Sequence, residues 1–144
     1  MGQIMEVWKE FMEYHQRIDP YYGTVEGGQM QFAAYIAEHM SRVDSLVLVA
    51  VEGDCLHGYC LCYVHRRPPV FTEQAIGIIS DLAVKEDCRR GGTGGGLLEG
   101  SMEWLRSIGI TRVELRTSAR NEPTIEFYRK HGFWVYDHMM TREI

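Results

Sequence analysis

The chain has 144 residues, 45% hydrophobic and 24% charged, proportions that match globular proteins and exclude disordered, collagen-like and coiled-coil classes. A chain of this length makes one domain, residues 1–144, and buries about two-thirds of the surface its unfolded form exposes. The formal net charge of -5 argues against a surface built to neutralise phosphate backbones, so the expected partner is a cationic small molecule and not nucleic acid.

Ile4, Val7, Trp8, Phe11, Met12 and Ile18 recur at helical spacing and Asp19-Pro20 supplies a stop, which predicts an amphipathic helix over 3–18. After the turn-rich Tyr21-Tyr22-Gly23 and Gly27-Gly28, a second helical pattern runs through Met30, Ala33, Ala34, Ile36, Ala37 and Met40. The apolar run Leu46–Val51, the turn Glu52-Gly53-Asp54 and another run to Val64 predict a β-hairpin, ended by Arg66-Arg67-Pro68-Pro69. The arginines beside these prolines read as a solvated loop or a small basic patch. A third strand, 75–84, is rich in isoleucine and carries an interior Gly77 that marks a bulge or a close backbone approach. Beyond a glycine loop come a helix (Leu97, Leu98, Met102, Leu105, Ile108), a strand at 112–117, a helix at 122–131 and a closing strand from Phe133. A hairpin followed by βαβαβ implies an α/β fold with a mixed sheet, in which strand 75–84 runs parallel to 112–117 through a right-handed crossover.

The four cysteines, Cys55, Cys60, Cys62 and Cys88, form no C-x-x-C pair or disulfide framework and read as free thiols in a reducing compartment. No apolar stretch approaches the roughly 20 residues that span a bilayer, and no basic-then-apolar leader opens the chain, so a cytoplasmic location without a membrane partner is expected. His15, His39, His57, His65, His131 and His138 show no ligand spacing, and no metal site is expected.

Between Arg90 and Leu97 stand Gly91, Gly92, Thr93, Gly94, Gly95 and Gly96, leaving a strand and entering a helix. Bare backbone at a helix N-terminus aims unsatisfied amides and the positive end of the helix dipole at one point, which favours phosphate. Arg89 and Arg90 add charge beside it. A triphosphate P-loop would need G-x-x-x-x-G-K-[ST], and a dinucleotide G-x-G-x-x-G starting at Gly92 would need glycine where Leu97 stands. Neither fits.

Arg89-Arg90-Gly91-Gly92-Thr93-Gly94, preceded by Ser80-Asp81-Leu82-Ala83-Val84, resembles the R-x-x-G-x-G signature of the GNAT superfamily of N-acetyltransferases. Asn121-Glu122-Pro123-Thr124-Ile125-Glu126-Phe127-Tyr128-Arg129-Lys130-His131-Gly132-Phe133 resembles its second landmark, N-x-x-x-x-x-F-Y-x-x-x-G-F. The resemblance covers roughly residues 45 to 144. It implies a GNAT-type, mostly antiparallel sheet with a parallel βαβ unit, about four helices, and acetyl-coenzyme A as cofactor. Family members begin with a strand, whereas this chain enters a helix almost at once; the exposed sheet edge would then be covered by a loop or by a second copy in a homodimer.

The resemblance also assigns roles. Leu82, Ala83 and Val84 lie on the strand whose backbone binds pantetheine, with the Leu82 amide as oxyanion donor. Arg89, Arg90, Gly91, Gly92, Thr93, Gly94 and Gly95 hold pyrophosphate. Asn121 corresponds to the residue that bonds the pantetheine arm, although Asn followed by Pro123 also reads as a helix start. Tyr128 is either a core tyrosine or the general acid for the departing thiolate. Asp81 is the first candidate base and Glu73 the second, with an ordered water or a purely structural carboxylate as alternatives; diamine acetyltransferases, which the segment resembles locally, read Glu-Asp where this chain has Ser80-Asp81. Phe133 and Trp134 read as core. The expected activity is acetyl transfer to a primary amine in a ternary complex. Its alternatives are a non-catalytic acyl-coenzyme A sensor and an interaction module built on Arg66, Arg67, Arg89 and Arg90.

Overall fold

The computed structural model describes residues 1–144. Helix α1 (Gly2–Ile18) buries Ile4, Met5, Val7 and Trp8 along one face. Helix α2 (Gly28–Met40) follows a single turn of 3-10 helix at Pro20–Tyr22, and its Phe32 ring stacks on Trp8 with centroids 4.7 Å apart. Four strands, β1 (Ser45–Glu52), β2 (Cys55–Arg66), β3 (Ala75–Val84) and β4 (Val113–Leu115), form one sheet in that order. Strands β1, β2 and β3 pair antiparallel, and β3 pairs parallel to β4 through helix α3 (Thr93–Ser107). Helix α4 (Glu122–Lys130) follows β4.

The alternation of β2 sorts its side chains onto two cores. Tyr59 and Leu61 join Ile4, Val7, Trp8 and Ile36 beneath α1 and α2. Cys60, Cys62 and Val64 join Leu97, Leu98 and Leu105 of α3 on the other face, where Phe127 and Tyr128 of α4 also pack. Both faces are covered, so β2 reads as a nearly continuous apolar run, as a central strand must.

Gly77 marks a close approach: a Cβ there would stand 2.7 Å from Leu105 Cδ1, and Leu105 is fully buried. The bulge lies three residues further on, where Asp81 pairs with Leu61 and Ile79 with Cys62, leaving Ser80 as the extra residue. Gly77→Ala should overpack this contact and lower stability by about 1–3 kcal/mol, read from the urea midpoint.

Two sequence expectations change. Strand β4 is three residues long, because Arg116 and Thr117 leave the ladder with β3. The closing strand from Phe133 does not form: residues 133–144 carry no strand, and Trp134, Val135, Tyr136, Met139 and Met140 are exposed instead of forming core. Their β-forming composition has no ladder beside it, since so short a β4 offers little edge, and propensity without a partner does not make a strand. At the other edge, β1 has no strand outside it, in keeping with the first strand missing from the sequence pattern.

Candidate active site

The shortness of β4 creates the site. Strands β3 and β4 pair only where Gly77, Ile78 and Ile79 meet Val113, Glu114 and Leu115; beyond Ser80 the strand keeps β2 but has no neighbour on its other edge. The Lys85 amide donates to the His57 carbonyl of the β2 side at 2.8 Å. Alternation then turns the backbone of Asp81 and Ala83 toward β2 and that of Leu82 and Val84 into the opening. The Val84 carbonyl accordingly accepts from Arg89 Nε at 3.2 Å instead of from β2. Without the Ser80 bulge the parity would reverse, and Leu82 would face β2. Ala83, grouped with its neighbours on sequence grounds, has its backbone committed to the ladder and its side chain buried in the α1–α2 core.

At the end of β3 the chain makes a turn with Arg90 at φ 68° and Gly92 at φ 85°, then starts α3 at Thr93. The first α3 bond runs from Gly96 N to Gly92 O at 2.9 Å. The amides of Arg90, Gly91, Gly92, Thr93, Gly94 and Gly95 donate to no protein acceptor, and Gly92 supplies no capping side chain. Six free donors thus meet the positive end of the α3 dipole. Arg90 stays exposed at the turn, whereas the guanidinium of Arg89, besides bonding Val84, lies 5.4 Å from the Tyr14 ring.

The opposite wall is Asn121, which is 0% exposed. Its Oδ1 accepts from the Tyr14 hydroxyl at 3.0 Å, but its Nδ2 has no partner. Helix α4 starts after Asn121 with Pro123 in its first turn, as the helix-start reading expects, but the Asn121 side chain makes no capping hydrogen bond and its Oδ1 serves Tyr14 instead. Thr117 Oγ1, just past the end of β4, is likewise buried and unpaired. Buried orphan donors cost free energy unless a ligand satisfies them. Asn121→Ala should weaken coenzyme A binding about tenfold, and by leaving the Tyr14 hydroxyl unpaired should cost about 1–3 kcal/mol of stability; calorimetric titration and thermal melting measure the two effects.

Tyr128 packs edge-on to Phe127 and Phe133, and burial pushes its phenol above the ordinary tyrosine range, so it stays protonated at neutral pH. Its hydroxyl makes no protein hydrogen bond, which leaves the proton available to a ligand. Asp81 projects to the α1–α2 face, where burial raises its carboxyl pKa while Ser80, Tyr59 and His15 oppose the rise. Such a carboxylate takes up a proton more readily than an exposed one. Glu73 precedes β3, accepts from Thr111 Oγ1 at 3.1 Å, and lies eight residues from Asp81, roughly 26 Å along a strand. It is therefore not brought to the site. Cys60 is held as a thiol, pushed up to about 12 by burial, and Cys62 to about 11, so neither is a ready nucleophile. Tyr22 packs edge-on to His15 at 5.6 Å, while Tyr21 is almost wholly exposed. No helix is long and apolar enough to cross a membrane.

Sequence reasoning passed over Tyr14, Tyr59 and Thr117. Tyr59 sits inside an apolar run and Tyr14 on a helix 107 residues from its partner, so no local pattern marks either one. The Acetyltransferase (GNAT) family profile matches residues 4–133, and the chain belongs to that family of enzymes. It is 28% identical over 107 residues to the N-alpha-acetyltransferase of Sulfurisphaera tokodaii; the match covers 69% of this chain but only 62% of that protein's length. Among solved structures, a mutant of the BH1408 protein from Bacillus halodurans superposes with a TM-score of 0.86 at 21% identity, over 99% of this chain and 92% of that one. The aminoglycoside acetyltransferase meta-AAC0020 from an uncultured soil metagenomic sample, in complex with sisomicin, superposes with a TM-score of 0.72 at 15% identity, over 99% and 85% of the two chains. Both likenesses establish a shared fold.

Proposed function

We propose that this acetyltransferase moves an acetyl group from acetyl-coenzyme A directly to the primary amine of a small cationic acceptor. The observation that carries the reading is the opening beyond Ser80, where the Leu82 and Val84 backbone lacks a strand partner, followed by the free amides of residues 90–95; the unpaired Asn121 Nδ2 supports it. These groups fit a linear amide-bearing arm that ends in a pyrophosphate.

When bound, acetyl-coenzyme A supplies an activated acetyl thioester and a thiol leaving group. Arg90 and the amides of Gly91, Gly92, Thr93, Gly94 and Gly95 hold the pyrophosphate; Leu82, Val84 and Asn121 bond the pantetheine arm. The Leu82 amide donates to the oxygen that gains charge as the acceptor nitrogen attacks. Asp81, on the acceptor side of the sheet, attracts the ammonium and takes its proton, so that the attacking nitrogen is neutral. Tyr128 would donate its phenolic proton to the departing sulfur and recover one from the acylated nitrogen as the amide forms, so that it ends protonated. The raised thiol pKa values of Cys60 and Cys62 favour direct transfer over an acyl-cysteine intermediate.

The aminoglycoside acetyltransferase among the structural neighbours supports a small-molecule amine acceptor. Release of the coenzyme A thiol should be followed across a library of alkyl amines, diamines, aminoglycosides and peptides with free α-amines. Turnover with a small amine is the expected result. Cofactor binding with no thiol release from any acceptor would refute the catalytic reading.

A further inference from the structure

The mechanism above leaves two buried unpaired groups without a task, Thr117 Oγ1 and the Tyr59 hydroxyl, and the second lies on the face of Asp81. Tyr59 is 0% exposed, and its hydroxyl, with the Phe32 ring 6.4 Å from its own, has no hydrogen-bond partner. An unpaired hydroxyl in a packed core is costly to retain, since phenylalanine would fill the same space without the penalty. The strand register shows what it faces. Tyr59 pairs with Ala83 and Leu61 with Asp81, which places Tyr59 and Asp81 as diagonal neighbours on the same face of the sheet.

On its face of the sheet Asp81 meets His15 from α1, Tyr35 from α2 and Tyr59 from β2, with Ser80 beside it, while Cys60 and Tyr128 lie across the sheet. Of these, Tyr59 combines complete burial with an unspent hydroxyl proton. We infer that Tyr59 is the positioning residue for Asp81, its hydroxyl donating to the carboxylate already in the free protein and fixing the rotamer in which that carboxylate meets the nitrogen. The same bond keeps the carboxylate charged in a place where burial favours the neutral acid. Tyr59 touches neither the acetyl group nor the amine; it acts through Asp81. The inference rests on the reading of Asp81 as the group that receives the amine proton.

The test is the titration of Asp81 itself, followed by carbon-13 NMR in aspartate-labelled full-length protein, with the resonance assigned by its loss in Asp81→Asn. In Tyr59→Phe the Asp81 midpoint should rise by about one pH unit. The acid limb of kcat/KM for the acceptor should move up with it, while the thermal melt stays near that of the wild type because the ring is kept. An Asp81 midpoint unmoved in Tyr59→Phe overturns the inference, even if activity falls. Full amine turnover by Asp81→Asn would instead remove the underlying reading of Asp81, a result separable from the NMR shift.

Discussion

Asp81→Asn is expected to lower kcat/KM for the amine acceptor by roughly 100- to 10,000-fold, the range that a positioned general base contributes. Asparagine keeps the size and an acceptor oxygen, but it cannot attract an ammonium or hold its proton. Coenzyme A affinity should change little, because the Asp81 backbone faces β2 and its side chain points to the α1–α2 face, away from Leu82 and Val84. Stability should move in the opposite direction. Burial raises the folded-state pKa of Asp81 above its unfolded value, so the folded chain binds the extra proton and the residue costs stability as pH climbs from the unfolded to the folded pKa and beyond. At neutral pH the variant should therefore melt no lower than the wild type, and at pH 4 the gap should close. A variant that is inactive and also unfolded at pH 7 would mean that Asp81 holds the fold and does not serve the chemistry.

The second large effect is expected at the glycine turn. Gly92 adopts φ 85°, and a Cβ there would meet nothing within 4 Å, so the obstacle to substitution is backbone conformation and not space. Aspartate tolerates the left-handed region better than most residues, at a cost of roughly 1–2 kcal/mol. Gly92→Asp should consequently fold, yet it sets a carboxylate among the free amides of Thr93, Gly94 and Gly95. Repulsion of the pyrophosphate at such short range should weaken coenzyme A binding by roughly 100-fold. Asparagine at the same position imposes similar backbone strain without the charge and should retain most of the affinity. Equal losses in the two variants would trace the effect to strain alone.

Much of the fold was legible because its signals are local. The helical spacing of Ile4, Val7, Trp8 and Phe11, the isoleucines of β3 and the glycines after Arg90 each mark their element without help from distant residues. The parts that misled depend on partners. Phe133, Trp134, Val135 and Tyr136 have strand composition, but strand formation needs an edge, and β4 stops at Leu115. Asn121 before Pro123 has the look of a cap, but Tyr14 occupies its acceptor. Ala83 was grouped with Leu82 and Val84, and only the bulge at Ser80, visible in pairing and not in composition, separates them by parity. The resemblance to the acetyltransferases led to Leu82, Val84 and Asn121; no periodicity or spacing in this chain could have shown that their polar groups face one opening. Tyr59 shows the same limit, since a phenol in the middle of Cys55–Arg66 reads as one more apolar residue until its hydroxyl is found unpaired.

In the proposed function the free amides after β3 grip a pyrophosphate and the acyl arm lies between β3 and Asn121. Backbone amide NMR during titration with coenzyme A tests it residue by residue. The account predicts large, saturable shifts at Gly91–Gly96, Leu82, Val84 and the Asn121 side-chain amide, with β1 unaffected. Saturable binding that leaves the turn and the Leu82 amide unmoved would contradict it.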